Sequence, residues 1–371
     1  MQVLDRPVVF GNVTERLTAL PASRTIRSRN PALQVAFRTR GRVLVEDRDG
    51  ELRGVPDDNR SVIFPDVTAW VGGRPYALSV KGTGARTPLY GRGLFSAIGP
   101  SDGGRLHTDE TWLGESPYGA QGEVPVARGL EVTDLGEGCC LNGFYFCPIV
   151  EANEFPPPES PRPHWYRRHR GAHFQEQRLV PSNVRLYHHS NRTLGQHPRE
   201  VLGAFGVESR ESLEAFLANY LASGVAALTL FARTARRTGD GIAGLKYADV
   251  WLDKDCLLAP DGTLHFADLE GLWRDTARGP HQFEEFVREQ FDRTFYEFMF
   301  GADLLLGELE ALGGRPWDQA QRRNAMISRT VAALEGDAFV HCEEGAAGLS
   351  LAIRALEPSA GALSIPMIDL R

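Results

Sequence analysis

Cysteines are few in this chain, and none is spaced for chemistry. Cys139, Cys140, Cys147, Cys256 and Cys342 contain no Cys-x-x-Cys pair and no zinc-site spacing, which speaks against a thiol redox or zinc module. Cys139 and Cys147 belong to the apolar run CCLNGFYFC, where buried thiols are expected. Long apolar runs are missing too. None reaches the 18 residues of a membrane span, and MQVLDRPVVFGNVTERL at the start lacks a signal-peptide core. A cytoplasmic protein with no membrane partner is the expectation. An excess of positive charge is also absent: 41 Lys and Arg stand against 48 Asp and Glu, a formal net charge of −7. That balance argues against a nucleic-acid partner. It leaves nucleotide binding open, which needs only a local cluster of cations. The chain has no internal repeat and no Walker A loop, and no Ser/His/Asp or Cys/His triad can be assembled from it.

What remains is an ordinary globular composition, 42% hydrophobic and 24% charged over 371 residues, suited to two domains or one bilobal unit. Residues 1–155 read as β-rich. VAFRTRGRVLVEDRDGELRGV (35–55) predicts a hairpin turning at Asp47–Gly50, and SVIFPDVTAWVGGRPYALSVKG (61–82) predicts two strands across Gly72-Gly73. VPVARGLEVTDLGEGCCLNGFYFCPIVEA (124–152) predicts another strand pair, and a short helix is expected from Thr108 or Asp109 to about Leu113. The proline-rich FPPPESPRP (155–163) and the basic WYRRHRGAH after it suggest a linker or insert over 156–177. Residues 178–371 read as mainly helical. Helical spacing covers 209–238, with Ser209 as cap and Gly239 as stop, then 281–312, 316–335 and 348–357. Between the first two helices, WLDKDCLLAPDGTLHFADLEGL predicts a hairpin around Ala259-Pro260-Asp261-Gly262, within a catalytic segment of 249–272. The expected class is α+β, with the order of a protein-kinase-like bilobal fold.

Three segments carry residues suited to phosphate chemistry. RLVPSNVR (178–185) sets Arg178 and Arg185 seven residues apart around a Pro-Ser corner, and guanidinium groups are the usual partners of phosphate oxygens. Lys81 ends a strand and enters the glycine-rich Gly82-Thr83-Gly84. Such a lysine needs a carboxylate to orient it, and Glu110 and Glu115 are the candidates. Asp255 and Asp268 bracket the hairpin thirteen residues apart, a spacing that protein kinases use for Mg²⁺ ligands. A solvated acidic turn is the competing reading. Arg167-Arg168-His169-Arg170 reads as a solvated loop cluster, His188-His189 as structural, and Trp251 and Phe266 as core aromatics.

Taken in order, these segments resemble the selenoprotein O family of kinase-fold AMP transferases. KGTGARTPLYG (81–91) is similar to the family's "KGxGxTPxSR", Ser101-Asp102-Gly103 to its "DGR", and VPVARGLEV (124–132) to "xPTTRAxxxV". Glu110 and Glu115 share the spacing of two glutamates in its first helix. RLVPSNVR resembles "RxAPSxxR", GLKYADVWLDKDCLL (244–258) sits where the family has "GFxHGVMNTDNxxxxG", and ADLEGL (267–272) sits where it has "DYGPFG".

The resemblance covers roughly residues 65–275. It implies ATP and Mg²⁺ as cofactors, with the γ-phosphate buried and the α-phosphate facing a hydroxyl acceptor on a protein, peptide or small molecule. Lys81 with Glu110 would form the ion pair, Gly82 and Gly84 would line the nucleotide, and Arg178 and Arg185 would hold the buried phosphates. Asp253 would be the catalytic carboxylate and Asp268 a metal ligand. From the residues themselves, Asp249 is a second catalytic candidate, Glu270 adds a nearby carboxylate for the metal, and either Asp255 takes the second metal-ligand role or only one metal is held. The chain departs from the family where "HGVMNTDN" becomes Tyr247-Ala-Asp-Val-Trp-Leu-Asp-Lys-Asp255, which aligns Lys254 with the metal-binding asparagine. The glycine-rich "GGHQFGxWAGQLGDGRA" has no counterpart, and no cysteine lies near the C-terminus. Transfer of the γ-phosphate and an inactive scaffold are the alternatives.

Overall fold

The computed structural model describes residues 6–11, 14–33, 39–47, 49–58, 61–83, 120–156, 172–187, 192–247, 252–346, 348–357, 360 and 362–369. The class is mixed α+β, with a large antiparallel sheet and, among the described residues, seven α-helices.

The sheet is assembled from β1 (Glu15–Pro21), β2 (Thr25–Arg27), β3 (Arg42–Glu46), β4 (Leu52–Asp58), β5 (Ser61–Val71), β6 (Arg74–Lys81) and β7 (Gln121–Gly122). After β8 (Cys140–Leu141) and β9 (Phe144–Phe146), β10 (Ile149–Glu154) and β11 (His173–Val180) complete it. The order is β2-β10-β11-β6-β5-β4-β1-β3, with β7 paired to β11. The β5–β6 hairpin turns where expected. Gly72 and Gly73 take φ of 58° and 76°, the left-handed pair that matches the twist of a two-residue hairpin. Leu17, Leu44, Val62, Phe64, Leu78 and Val80 form one core on one face of the sheet.

Three expectations from the first half of the chain are corrected. β3 and β4 are not a hairpin, because β1 lies between them and Leu17 faces both Glu46 and Leu52. The Asp47–Gly50 turn forms, with Gly50 N donating to Asp47 O at 3.0 Å, but it crosses over β1. A Cβ on Gly50 would come within 2.5 Å of the Leu17 backbone. Residues 123–135 are not a strand but helix α1 (Glu123–Leu135), whose buried Val126, Gly129, Leu130 and Thr133 follow the helical period. Gly129 lets it lie against Ile149 and Leu269, where a Cβ would reach Ile149 Cδ1 at 2.4 Å. The segment expected to link to residue 177 becomes strand at His173, and every residue of β11 is buried.

The second half follows as β12 (Val184–Arg185), β13 (Arg192–Thr193), α2 (Pro198–Ala204), α3 (Arg210–Leu228) and α4 (Leu230–Thr234). Ser209 caps α3 in a box with Ser212. The helix expected to reach Gly239 stops earlier. Arg236–Thr238 is β14, paired with β15 (Gly241–Tyr247), which also pairs β18 (Leu272–Ala277). The expected hairpin forms as β16 (Cys256–Leu258) and β17 (Leu264–Phe266), preceded by the one-turn helix α5 (Leu252–Asp255). α6 (Pro280–Gly313) and α7 (Gln319–Leu334) match expectation. The last helix does not. Residues 348–354 are β20 (Gly348–Arg354), between β19 (Val340–Gly345) and β21 (Ala362–Asp369). Leu349, Leu351 and Ile353 are buried and alternate with less buried neighbours, a period of two. Among the described residues, no helix is long and apolar enough to cross a membrane.

The β16–β17 hairpin is clamped from two sides. On one side, Asn219 Nδ2 of α3 donates to Asp261 O at 2.8 Å, and Leu264 N donates to Ser223 Oγ at 2.9 Å. On the other, β17 runs parallel to β9, Cys147 N donates to Phe266 O at 2.7 Å, and Ser182 Oγ donates to Leu258 O at 2.6 Å. Gly262 turns the hairpin with φ of 95°, and a Cβ there would meet Phe216 O at 2.2 Å. Gly262→Ala therefore combines left-handed strain with a backbone clash, and is expected to cost about 2 kcal/mol or more. Urea denaturation of the variant against the wild type measures the loss; an unchanged midpoint would contradict the packing of the hairpin on α3.

Candidate functional site

Strand register builds the site. Lys81 faces Glu176 across β6 and β11, and Ser79 faces Arg178. Opposed residues share a face and side chains alternate along a strand. Ala77, Ser79 and Lys81 therefore line up with Val180, Arg178 and Glu176. The apolar end of this face, Ala77 and Val180 with Ile63 and Cys147, packs on Leu257 and Ala267 of the hairpin segment. The polar end meets the residues that follow the hairpin, Asp268 and Glu270.

The contacts form one buried network. Lys81 is 1% exposed; its Nζ donates to Asp268 Oδ1 at 3.1 Å and also to Glu270 Oε1. Gln121 Nε2 of β7 donates to Glu270 Oε1 at 2.9 Å. Arg178 Nη1 donates to Ala267 O and lies 3.5 Å from Asp268 Oδ1, while Nε is 3.8 Å from Glu176 Oε2. Glu176 is 0% exposed, and neither of its oxygens has a hydrogen-bond partner. Three carboxylates thus surround two cations. Burial, then the Glu270 charge, push the Glu176 carboxyl up to about 7 against the pull of Lys81 and Arg178. For Arg178, burial lowers the proton affinity, but Glu176, Glu270 and Asp268 more than offset it and the net direction is up.

A second cluster lies at the mouth of the hairpin. Ala267 N donates to Asp255 O at 2.7 Å, so Asp255 and Asp268 both stand at the open end of the hairpin. Asp255 is buried, with Lys254 Nζ 3.6 Å from its Oδ1. Arg185 reaches Lys254 O through Nη1 and stands 3.5 Å from Asp57 Oδ2. Glu297 of α6 accepts from Leu252 N at 2.5 Å and Asp253 N at 3.4 Å, which holds the first turn of α5. Burial raises the Asp253 carboxyl above the usual range. Burial and then the Asp253 charge push Glu297 up to about 7.

Lys81 and Arg178 therefore meet at Asp268, with Glu270 on Lys81, and Arg185, Asp253 and Asp255 gather at the mouth of the hairpin. Gly82 follows with φ of 101°, and a Cβ on it would approach Ala120 Cα at 3.1 Å. Gly84, Glu110, Glu115 and Asp249 lie outside the described residues, as does the helix expected over 108–113. Among the described residues, no three His, Cys, Asp or Glu side chains are grouped so as to hold a metal ion by themselves. Four residues of the site were not anticipated: Glu176, Gln121, Asp57 and Glu297. Glu176 had a signal, since it lies two residues before Arg178 in an alternating strand. The other three had none, because their roles come from distant pairings. No family model matches this chain, and neither does any curated protein.

Glu297 gives the site a testable pH dependence. Its folded value, about 7, lies above the ordinary 4.5. The folded state thus holds a proton that the unfolded chain releases. The associated stability is present below about pH 4.5 and is lost as pH rises toward 7. Glu297→Gln keeps an acceptor for Leu252 N and is expected to flatten stability across that window, measured by urea denaturation at pH 5 and pH 8. An unchanged pH slope would show that Glu297 titrates normally.

Proposed function

We propose that this chain is an ATP- and Mg²⁺-dependent transferase resembling selenoprotein O, which moves AMP to a hydroxyl of a protein, peptide or small-molecule acceptor. In this reading the large sheet and the helix-containing part are the two lobes of a protein-kinase-like fold, with the β16–β17 hairpin between them. The observation that carries it is the Lys81 ammonium, buried at a strand end and held by Asp268, which stands with Asp255 at the open end of a hairpin. Burying that much charge is costly, and Glu176 across the strand pair, its carboxyl pushed up to about 7 by burial, is the kind of perturbed group that clusters at functional sites.

The donor set fits Mg²⁺. The ion prefers hard oxygens and is usually held by one or two carboxylates together with substrate phosphates, so a three-carboxylate cage is not required. Asp268 and Asp255 would hold it, with Glu270 adjacent. Glu270 Oε2 and Asp253 Oδ1 are buried without hydrogen-bond partners. The ion would neutralise charge on the phosphates. Lys81, Arg178 and Arg185 would bind phosphate oxygens, with Gly82 admitting the nucleotide close to the backbone. Transfer breaks the α–β phosphoanhydride, forms a bond from the acceptor oxygen to the α-phosphorus and releases pyrophosphate. Asp253, its proton affinity raised by burial, accepts the hydroxyl proton, and Asp249 lies on the same segment.

A second reading, an inactive nucleotide-free scaffold, draws on Lys254, whose ammonium lies 3.6 Å from the Asp255 carboxylate and offsets its charge. Calorimetric titration with ATP, with and without Mg²⁺, separates the two. Mg²⁺-dependent binding is expected, weakened about tenfold to a hundredfold in Arg178→Ala and in Asp268→Ala, the range for a lost charged hydrogen bond. ATP labelled at the α- or γ-position then identifies the group moved. Pyrophosphate with α-label on the acceptor supports AMP transfer; ADP with γ-label on the acceptor would replace it with phosphate transfer. No binding at all would leave the scaffold.

A further inference from the structure

Glu176 is the one charged residue of the Lys81 network that the proposed chemistry leaves without a task. Its side chain is 0% exposed, and both oxygens are buried without a hydrogen-bond partner. Among the described residues its one ion contact, to Arg178 Nε at 3.8 Å, is long, and that nitrogen also lacks a hydrogen-bond partner. A structural ion pair this deep normally satisfies its donors and acceptors. Here it does not, while Lys81 Nζ donates to Asp268 and Glu270.

The register shows what Glu176 can reach. It stands directly opposite Lys81 on adjacent antiparallel strands, and such pairs have Cβ atoms about 5 Å apart on a common face. The lysine stem has rotatable bonds enough to carry Nζ from the hairpin side to the β11 side without moving either strand. Nothing comparable is open to Asp268 or Glu270 once a divalent ion claims their oxygens. The ammonium must then find another anion, and among the described residues Glu176 stands opposite it across the strand pair.

Resting on the nucleotide reading above, we propose that Glu176 is the second partner of Lys81: in the free protein the ammonium locks Asp268 and Glu270 together, and entry of Mg²⁺ and ATP transfers it to Glu176 and the phosphates. The lock keeps the metal carboxylates neutralised until nucleotide arrives, and β11 supplies the orienting carboxylate. Glu176 is a positioning residue in this account. It acts on the nucleotide through Lys81.

A double-mutant cycle tests this with Mg²⁺–ATP affinity as the readout, using wild type, Glu176→Gln, Lys81→Met and the double variant. Glu176→Gln is expected to weaken binding about tenfold, the size of coupling common within one salt-bridge network, and the double variant to bind no worse than Lys81→Met. Thermal stability of Glu176→Gln without nucleotide should equal or exceed that of the wild type, because the change removes a buried carboxylate charge that has no hydrogen-bond partner and keeps the shape. Equal affinity of Glu176→Gln and wild type would overturn the proposal, as would independent effects that multiply. So would a Glu176→Gln that unfolds, since the charge would then belong to the resting fold. Each of these failures leaves the nucleotide reading intact provided the wild type binds Mg²⁺–ATP. A wild type that does not bind would remove both.

Discussion

A buried ammonium cannot be left alone, and Lys81 makes that requirement the organising constraint of the molecule. Placed at the end of β6 with 1% exposure, it needs carboxylates from elsewhere, and removing a charge from water without a partner costs several kcal/mol. Asp268 and Glu270 meet the need only if the β16–β17 hairpin is docked on the sheet. Docking in turn depends on the Cys147–Phe266 and Ser182–Leu258 hydrogen bonds and on the apolar contact of Ala77 and Val180 with Leu257 and Ala267. The position of the large sheet relative to the helix-containing part is thus coupled to one charge.

Among the described residues the network holds more carboxylates than cations, with Glu176, Asp268 and Glu270 around Lys81 and Arg178. The molecule as arranged resolves the excess partly by raising the proton affinity of Glu176. A divalent cation would resolve it more completely. Carboxylates and cations clustered this deeply are a poor structural device, because hydrophobic replacements would pack as well or better. In the proposed reading the cluster is suited to accept a cation and the phosphates it accompanies.

Local chemistry explains what could be read from the residues. Gly72, Gly73 and Gly262 take left-handed backbone, so both hairpins were legible. The same turns bring Lys81, Asp268 and their neighbours into range. The strand-like reading of 124–135 and the helix-like reading of 348–357 failed where β-branched residues lie in a helix, and good helix formers in a strand. In each case burial periodicity, imposed by packing, overrode intrinsic preference. The insertion of β1 between β3 and β4 could not be read at all. It follows from long-range pairing, and only Gly50, lying on the Leu17 backbone, marks it. Asp57 and Glu297 are in the same position. Their partners, Arg185 and the first turn of α5, are far away in sequence.

Strand β11 shows how the site obtains its rigidity. Its opposite face carries Gln175 and Gln177, and both are committed. Gln175 accepts from Leu44 N and donates to Leu44 O, each at 2.7 Å, and to Gly82 O at 3.0 Å. Gln177 accepts from Thr39 Oγ1 at 3.2 Å and donates to Thr39 O and Arg42 O, each at 3.3 Å. The far edge of the sheet, β3, is thereby drawn back to β11. With the back of the strand tied to distant backbone groups, Glu176 and Arg178 on its front have little freedom to move as a unit. Gly82, at the start of the loop after Lys81, is pinned by the same glutamine. Groups that bind charge are most effective when held in advance rather than recruited on binding. In the proposed reading the fixed parts are the strands, and the element that moves is the lysine side chain between them.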